Sequence, residues 1–280
     1  MLKNIFSTRK NKTKNQDNKP EGKMTKEFEN VIGFAKNAFH FSVTHTNCPD
    51  HYDNKVFDFI RMITDKLSYE YAKKCITLSY RGIDFRELFI PINHELNFAY
   101  DLSNRIYDDS NSSKVDRDFS IALGKDPVLS FPWDRERLED AMEYATKEKP
   151  WKEDSMNHRA YVIFPVGVTW IHNGIHSGFS GVMSRQGFLN ITEQSIGRNY
   201  DIIDWSPLYT YIKFDGENYI FTGYNEEEEL HEVIGKAPCF ELGCIFEIGR
   251  ILHKNGIRFH GITIAPQEPQ TEGKEKLNKK

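Results

Sequence analysis

A short polar turn between residues 171 and 178 holds the side chains of this chain that are best suited to chemistry. It combines two histidines with an asparagine, a serine and a glycine: His172, His176, Asn173, Ser177 and Gly174. The apolar, β-branched run before it is typical of a buried strand. A strand that ends in a glycine-containing turn at a helix start exposes backbone N–H groups at the edge of a sheet, where α/β folds bind ligands. The sequence therefore predicts a ligand site here.

The chemistry that suits this turn is the binding of an anion. We predict a helix from Ser177 to Gln186, whose free N–H groups and dipole attract negative charge, and Gly174 permits a close approach to the backbone. Arg159 could reach the anion or form a surface ion pair instead. The candidate ligand-binding residues are the turn and two arginines: His172, Asn173, Gly174, Ser177, Arg159 and Arg185.

His176 is the candidate catalytic residue, because the intrinsic pKa of histidine lies near neutrality and suits a general acid or base. The alternative is a structural histidine that hydrogen-bonds the turn near the start of the helix.

A metal site at the two histidines is a weaker interpretation. His172 and His176 are four residues apart, and on a continuous helix they would share a face. A third ligand would have to come from His158, Asp201 or Asp204, which form no recognised ligand pattern. Because Asn173-Gly174 disfavours a continuous helix, we predict no metal site and identify no cofactor.

The elements around the turn follow a mixed strand and helix pattern. A short strand bounded by prolines within Asp126–Pro132 is followed by a helix with Asp134 as its N-cap. Strands are expected around Val162 and Val168. The remaining predicted features are a buried helical stripe at Leu138, Ala141, Met142 and Ala145, hairpin strands at Tyr209–Phe214 and Tyr219–Phe221 joined at Asp215-Gly216, and a last helix stopped by Asn255-Gly256.

The N-terminal half has a helical pattern instead. Apolar residues recur at helical spacing in three stripes: Phe28 to Phe39, Val56 to Tyr71, and Ile92 to Ile106. The segment from His45 to His51 between the first two is predicted to be a loop. The expected division is a disordered basic tail at 1–24, a helical region at 25–107, a linker at 108–118, a mixed α/β domain at 119–264 and a disordered tail at 265–280.

Composition narrows the class of protein. The chain has 280 residues, 39% of them hydrophobic, and a net charge of −4, so no overall basic field favours nucleic acid. Only the first 24 residues are basic, and they could touch nucleic acid or acidic lipid or remain a solvated tail. Four cysteines without CxxC spacing, no long apolar run and no signal peptide indicate a soluble protein of the cytoplasm.

Two resemblances involve the C-terminal half. Several motifs resemble an uncharacterised bacterial family whose members carry a Pro-Trp-Asn-Arg block, an Asn-His pair and a Gly-Asn-His-Ser turn. The matching segments are Pro132-Trp133-Asp134-Arg135, Trp151 to Asp154, Asn157-His158-Arg159, Gly174 to Ser177 and Asp204 to Tyr209. This resemblance covers about residues 124–256 and implies no activity.

The passage from Val168 to Gly181 is similar, more distantly, to the signature of ParB-like and sulfiredoxin-like domains. In those domains a Gly-x-[His or Arg]-Arg turn at a helix start binds nucleotide phosphate. Ile175 stands at the sulfiredoxin cysteine position, which excludes thiol repair, and Ser177 stands at the arginine position. Arg159 or Arg185 would have to replace that arginine.

These observations lead to an α+β or α/β fold with a helical N-terminal half and a small mixed-sheet ParB/sulfiredoxin-like domain. The expected function is binding of a nucleotide or another phosphorylated ligand at the Gly174–Ser177 turn, with or without hydrolysis. One alternative is a non-catalytic interaction protein in which the turn is architectural. Another is a histidine-dependent phosphodiesterase or nuclease, with or without a metal. Whether the protein is an enzyme, and its oligomeric state, stay open.

Overall fold

The computed structural model describes residues 23–45, 55–78, 113–143, 145–222 and 232–264. Several predictions fall outside these ranges. They concern nearly all of the basic tail, the loop after His45, the third helical stripe at Ile92–Ile106, most of the linker and the C-terminal tail.

Two long helices form the N-terminal part, as the apolar spacing predicts. Helix α1 is Lys23–His45 and helix α2 is Lys55–Leu78. Helix α1 therefore includes the last two residues of the predicted disordered tail, 23 and 24, where that prediction was wrong. The apolar stripe of α2 is buried at Val56, Ile60, Ile63 and Leu67, where it packs into the core.

A four-stranded mixed sheet lies at the centre of the C-terminal part, with strand order β2-β4-β3-β6. These strands are β2 Val128–Ser130, β3 Arg159–Phe164, β4 Val168–Asn173 and β6 Tyr200–Asp204. Strand β4 pairs parallel with β2 and antiparallel with β3, and β3 pairs parallel with β6. Both central strands are largely buried, which explains their near-continuous apolar sequence.

The fold contains two smaller sheets besides the four-stranded central sheet. Strand β1 Phe119–Ala122 pairs antiparallel with β5 Phe188–Ile191. Strands β7 Ile212–Phe214, β8 Asn218–Phe221 and β9 Glu232–Lys236 form an antiparallel sheet. The hairpin turn predicted at Asp215-Gly216 is confirmed, because Gly216 has a φ of 105° and the Asp215 carboxylate accepts the N–H groups of Glu217 and Asn218.

The first hairpin strand is shorter than the sequence predicts. Residues Ser206–Thr210 form a 3-10 helix, so the prediction of a strand from Tyr209 was wrong at that end. Pro207 lies at the start of this helix. The Tyr209 ring packs on Phe246 at 5.0 Å, and its carbonyl accepts a hydrogen bond from Arg250. Tertiary contacts therefore override the strand-like pattern.

Three further helices complete the fold: α3 Arg135–Met142, α4 Ile175–Ser184 and α5 Phe240–Lys254. The N-cap prediction for α3 is confirmed, because the Asp134 carboxylate accepts the Arg137 N–H at 2.9 Å. Helix α4 begins two residues earlier than predicted. Helix α5 ends at Asn255-Gly256 as predicted. Met142 is 43% exposed, so its prediction as a buried residue was wrong. A second 3-10 helix spans Phe259–Gly261.

The described residues form a mixed α+β fold with five α-helices and three small sheets. One continuous hydrophobic core includes Ala35 and Ile60 from the helical part together with Val162, Ile171 and Ile248 from the remainder. The two long helices therefore share a core with the central sheet. Among the described helices, none is both long and apolar enough to cross a membrane.

Candidate functional site

The polar turn lies between β4 and α4, where the sequence predicts a ligand site. Gly174 is the N-cap of α4 and has a φ of 70° and a ψ of 26°, a left-handed conformation that glycine adopts without strain. No side chain caps this terminus. Within the described ranges, no hydrogen bond satisfies the N–H groups of Ile175, His176 and Ser177. The start of α4 therefore presents free donors and the positive end of the helix dipole.

The Ser177 hydroxyl contacts His158, which the sequence places 19 residues earlier. Ser177 Oγ lies 2.6 Å from His158 Nε2, and His158 Nδ1 accepts the backbone N–H of Asp154 at 2.8 Å. The proton of the neutral ring must therefore be on Nε2, so His158 donates to Ser177 Oγ. The hydroxyl in turn donates to the Gly174 carbonyl at 3.0 Å.

This arrangement is opposite to that of a serine nucleophile with a histidine base. A base needs a free lone pair directed at the hydroxyl, whereas Nε2 of neutral His158 carries a proton. His158 is buried, and burial lowers its pKa, although the Asp154 and Glu153 carboxylates act in the opposite direction. The ring is consequently neutral at pH 7. Its role in this geometry is to hold Ser177, not to activate it.

The segment from Trp151 to His158, called here the latch loop, packs against the start of α4 and is hydrogen-bonded to it. Trp151 Nε1 donates to the Ser177 carbonyl at 2.7 Å, and its ring lies 4.9 Å from that of His158. Asn173 Nδ2 donates to the Asn157 carbonyl at 2.7 Å. A Cβ atom on Gly174 would lie only 2.4 Å from His158 Cδ2. The space over Gly174 is therefore filled by the His158 ring.

His176 faces a different partner, the start of α3. Its Nε2 accepts the Asp134 N–H at 3.1 Å and lies 3.4 Å from the Trp133 N–H. Nδ1 therefore carries the proton of the neutral ring. Burial lowers the pKa of His176, while the carboxylate of Asp134 raises it less strongly. The Trp133 ring packs edge-on against His176 at 5.5 Å and is 39% exposed, so an aromatic surface borders the turn.

The other predicted ligand residues lie at two places. Arg159 is exposed and pairs with Asn173 across the β3–β4 ladder, next to the turn. His172 packs its ring against that of Tyr161 at 4.6 Å. Arg185 is the C-cap at the opposite end of α4, about 12 Å from Ser177 at the usual helical rise. The structure therefore brings Arg159 to the turn and places Arg185 away from it. Burial raises the pKa of Asp65, and the charge of Arg185 acts in the opposite direction, less strongly than burial.

The described residues include no group of three or more His, Cys, Asp or Glu side chains that could hold a metal ion. His172 and His176, the pair considered for a metal, instead contact Tyr161 and the start of α3 respectively. Those contacts leave the histidine-dependent, metal-assisted alternative without a ligand cluster in this part of the chain.

Sequence reasoning missed three residues that shape the site. Trp151 and Asp154 hold Ser177 and His158, and Trp133 forms the exposed aromatic border. All three lie in motifs that resemble an uncharacterised family, so that pattern was the available signal. Nothing in their local sequence indicates contact with a turn about 20 to 40 residues away.

Comparison with known proteins gives a family but no activity. A family model described as "Family of unknown function (DUF6710)" matches residues 5–259. No curated protein matches the chain. No solved structure matches it either.

Proposed function

The chain belongs to DUF6710, a family of unknown function, and we propose that it binds a nucleotide or another phosphorylated small molecule at the start of α4. The observation that carries this proposal is the uncapped helix terminus at Gly174, with free N–H groups on Ile175, His176 and Ser177. Such a terminus attracts a phosphate through its N–H groups and its dipole. The ParB/sulfiredoxin-like identity of the α/β part and a cytoplasmic setting belong to the same proposal.

Two neighbouring side chains support a nucleotide in particular. Arg159 is exposed beside Asn173, and the described residues offer it no ion-pair partner, so its charge is available for a phosphate. Trp133 presents part of its ring at the same turn, although Arg137 lies over one face at 5.3 Å. An exposed indole can stack on the base of a nucleotide. Inorganic phosphate has no base, so it gains nothing from this ring.

His176 is the candidate residue for hydrolysis in this arrangement. Its Nε2 accepts the Asp134 N–H just before α3, so the neutral ring offers Nδ1–H as a hydrogen-bond donor. A neutral imidazole N–H is too weak an acid to protonate a leaving oxygen, so His176 is suited to hold and polarise a phosphate oxygen, and His158 is suited to hold Ser177. A direct test is to follow release of phosphate from a bound nucleotide by wild-type protein and by His176→Gln.

The binding proposal is tested by calorimetric titration of the full chain with inorganic phosphate, AMP and ATP. Arg159→Gln should weaken all three, by about tenfold or more for one charge-assisted hydrogen bond. Trp133→Ala should weaken AMP and ATP while leaving inorganic phosphate unchanged. Arg198→Gln, an exposed arginine of the nearby β5–β6 connection, is the matched control and should bind like wild type. Equal affinities for Arg159→Gln and Arg198→Gln would overturn the assignment.

A non-catalytic interaction protein is the second candidate, and the latch loop favours it. The Ser177 hydroxyl, the Asn173 amide and the space over Gly174 are all used within the protein. In that case the turn is architectural. This candidate predicts that the protein binds none of the phosphorylated probes. It also predicts that substitutions in the latch loop greatly lower the free energy of unfolding.

A further inference from the structure

A cleft lies between α1, β7 and α5, away from the polar turn. Its volume is about 660 Å³, within the range of small-molecule sites. The apolar walls come from all three elements: Phe28, Ile32, Phe39, Phe214 and Ile251. We call it the α1–α5 cleft. Phe28 and Phe214 pack edge to face at 5.3 Å, so the wall is partly aromatic.

Three lysines line the same cleft, one from each element: Lys36 of α1, Lys213 of β7 and Lys254 of α5. All three are exposed, and the ion pairs of the described residues involve other cations. Their positive charges therefore act together on whatever enters the cleft.

The acidic residue in the cleft does not cancel these charges. Glu247 pairs with the buried Arg250 at 2.8 Å and also accepts the Phe214 N–H at 2.8 Å. Arg250 donates in addition to the carbonyls of Tyr209 and Ile212, so the pair is fixed in the floor. The net field is therefore positive, between apolar walls and above an ion pair whose charges balance.

We propose that the α1–α5 cleft binds an anionic amphiphile, a molecule with a hydrocarbon body and a carboxylate head. The apolar walls favour the hydrocarbon, and the three lysines favour the carboxylate. A small inorganic anion would leave the walls unused, and a neutral hydrocarbon would leave the lysines unused. This site is separate from the α4 terminus, so its test is independent of the function proposed above.

The experiment titrates the full chain with dodecanoate, dodecanol and dodecyltrimethylammonium, each below its aggregation limit. We expect dodecanoate to bind most tightly and the cation most weakly, and raising the ionic strength to weaken only dodecanoate. The triple variant K36Q/K213Q/K254Q should lose about tenfold in dodecanoate affinity and keep its dodecanol affinity. The control variant K114Q/K147Q/K152Q neutralises three exposed lysines that do not line the cleft and should bind like wild type.

A blocking variant locates the binding. Ile251→Trp fills the cleft and should weaken dodecanoate and dodecanol alike, and Ile32→Trp fills it from α1 if the first variant proves unstable. The proposal is overturned if dodecanoate does not bind, if the two triple variants bind it equally, or if neither tryptophan variant weakens binding.

Discussion

Replacing Gly174 by alanine tests the packing of the latch loop on the polar turn. The new Cβ would lie 2.4 Å from His158 Cδ2, closer than carbon atoms approach, so the ring must move. The residue would also hold a φ of 70°, which costs an L-amino acid about 1–2 kcal/mol. Displacing His158 breaks its hydrogen bond to Ser177, worth about 0.5–1.5 kcal/mol more. We expect Gly174→Ala to lower the free energy of unfolding by about 1.5–3.5 kcal/mol.

Gly197 offers a matched control, because its φ is 74° and no atom lies within 4 Å of the position that an added Cβ would take. Gly197→Ala should therefore show the backbone cost alone, about 1–2 kcal/mol. Urea unfolding followed by circular dichroism and tryptophan fluorescence measures both. In a His158→Ala background the added methyl group has room, so Gly174→Ala should then cost no more than Gly197→Ala. Equal costs of the two glycine variants in the wild-type background would refute the packing argument.

Three other predictions concern charge and capping. Burial lowers the pKa of His158 and His176 below the value of 6.5 expected in the unfolded chain. The free energy of unfolding should therefore be highest above pH 6.5 and fall as the pH drops below it. The fall should be up to about 1.4 kcal/mol per pH unit for each histidine. Urea titrations between pH 7.5 and 5.5 measure this slope, and an unchanged slope in His158→Asn would contradict the contribution of His158. Asp134→Ala should cost about 1 kcal/mol in the same assay by removing the cap of α3, and no loss would show that the cap is unimportant. Arg250→Met should lower the free energy of unfolding by about 3–5 kcal/mol, because it leaves the Glu247 carboxylate without its cation. Adding Glu247→Gln should recover part of that loss. An Arg250→Met variant as stable as wild type would argue against a stabilising Glu247–Arg250 ion pair.

Local signals in the sequence predicted local structure. Asp134 as an N-cap, Asp215-Gly216 as a hairpin turn and Asn255-Gly256 as a helix stop depend on residues within a few positions of one another, so the sequence shows them directly. The stripe of α2 also follows from spacing alone, since one helix face must be buried.

Contacts between distant residues could not be predicted in this way. His158 and Trp151 reach Ser177 from 19 and 26 residues away, and only the folded loop brings them there. The tautomer of His158 depends on a backbone N–H of Asp154, which no side-chain pattern reveals. Arg185 is different, because eight residues of helical rise already separate it from Ser177 by about 12 Å. Its distance from the turn follows from the predicted helix itself.

The most direct test of the central claim is an NMR titration of the isotopically labelled full chain with AMP and inorganic phosphate. The amide signals of Ile175, His176 and Ser177 should shift and saturate, because their N–H groups receive the phosphate. The start of α5 provides the internal control, since it also lacks a side-chain cap but carries Glu241 in its first turn. Its amide signals should not move. Unchanged signals at residues 175–177, or equal shifts at both helix starts, would contradict phosphate binding at the polar turn.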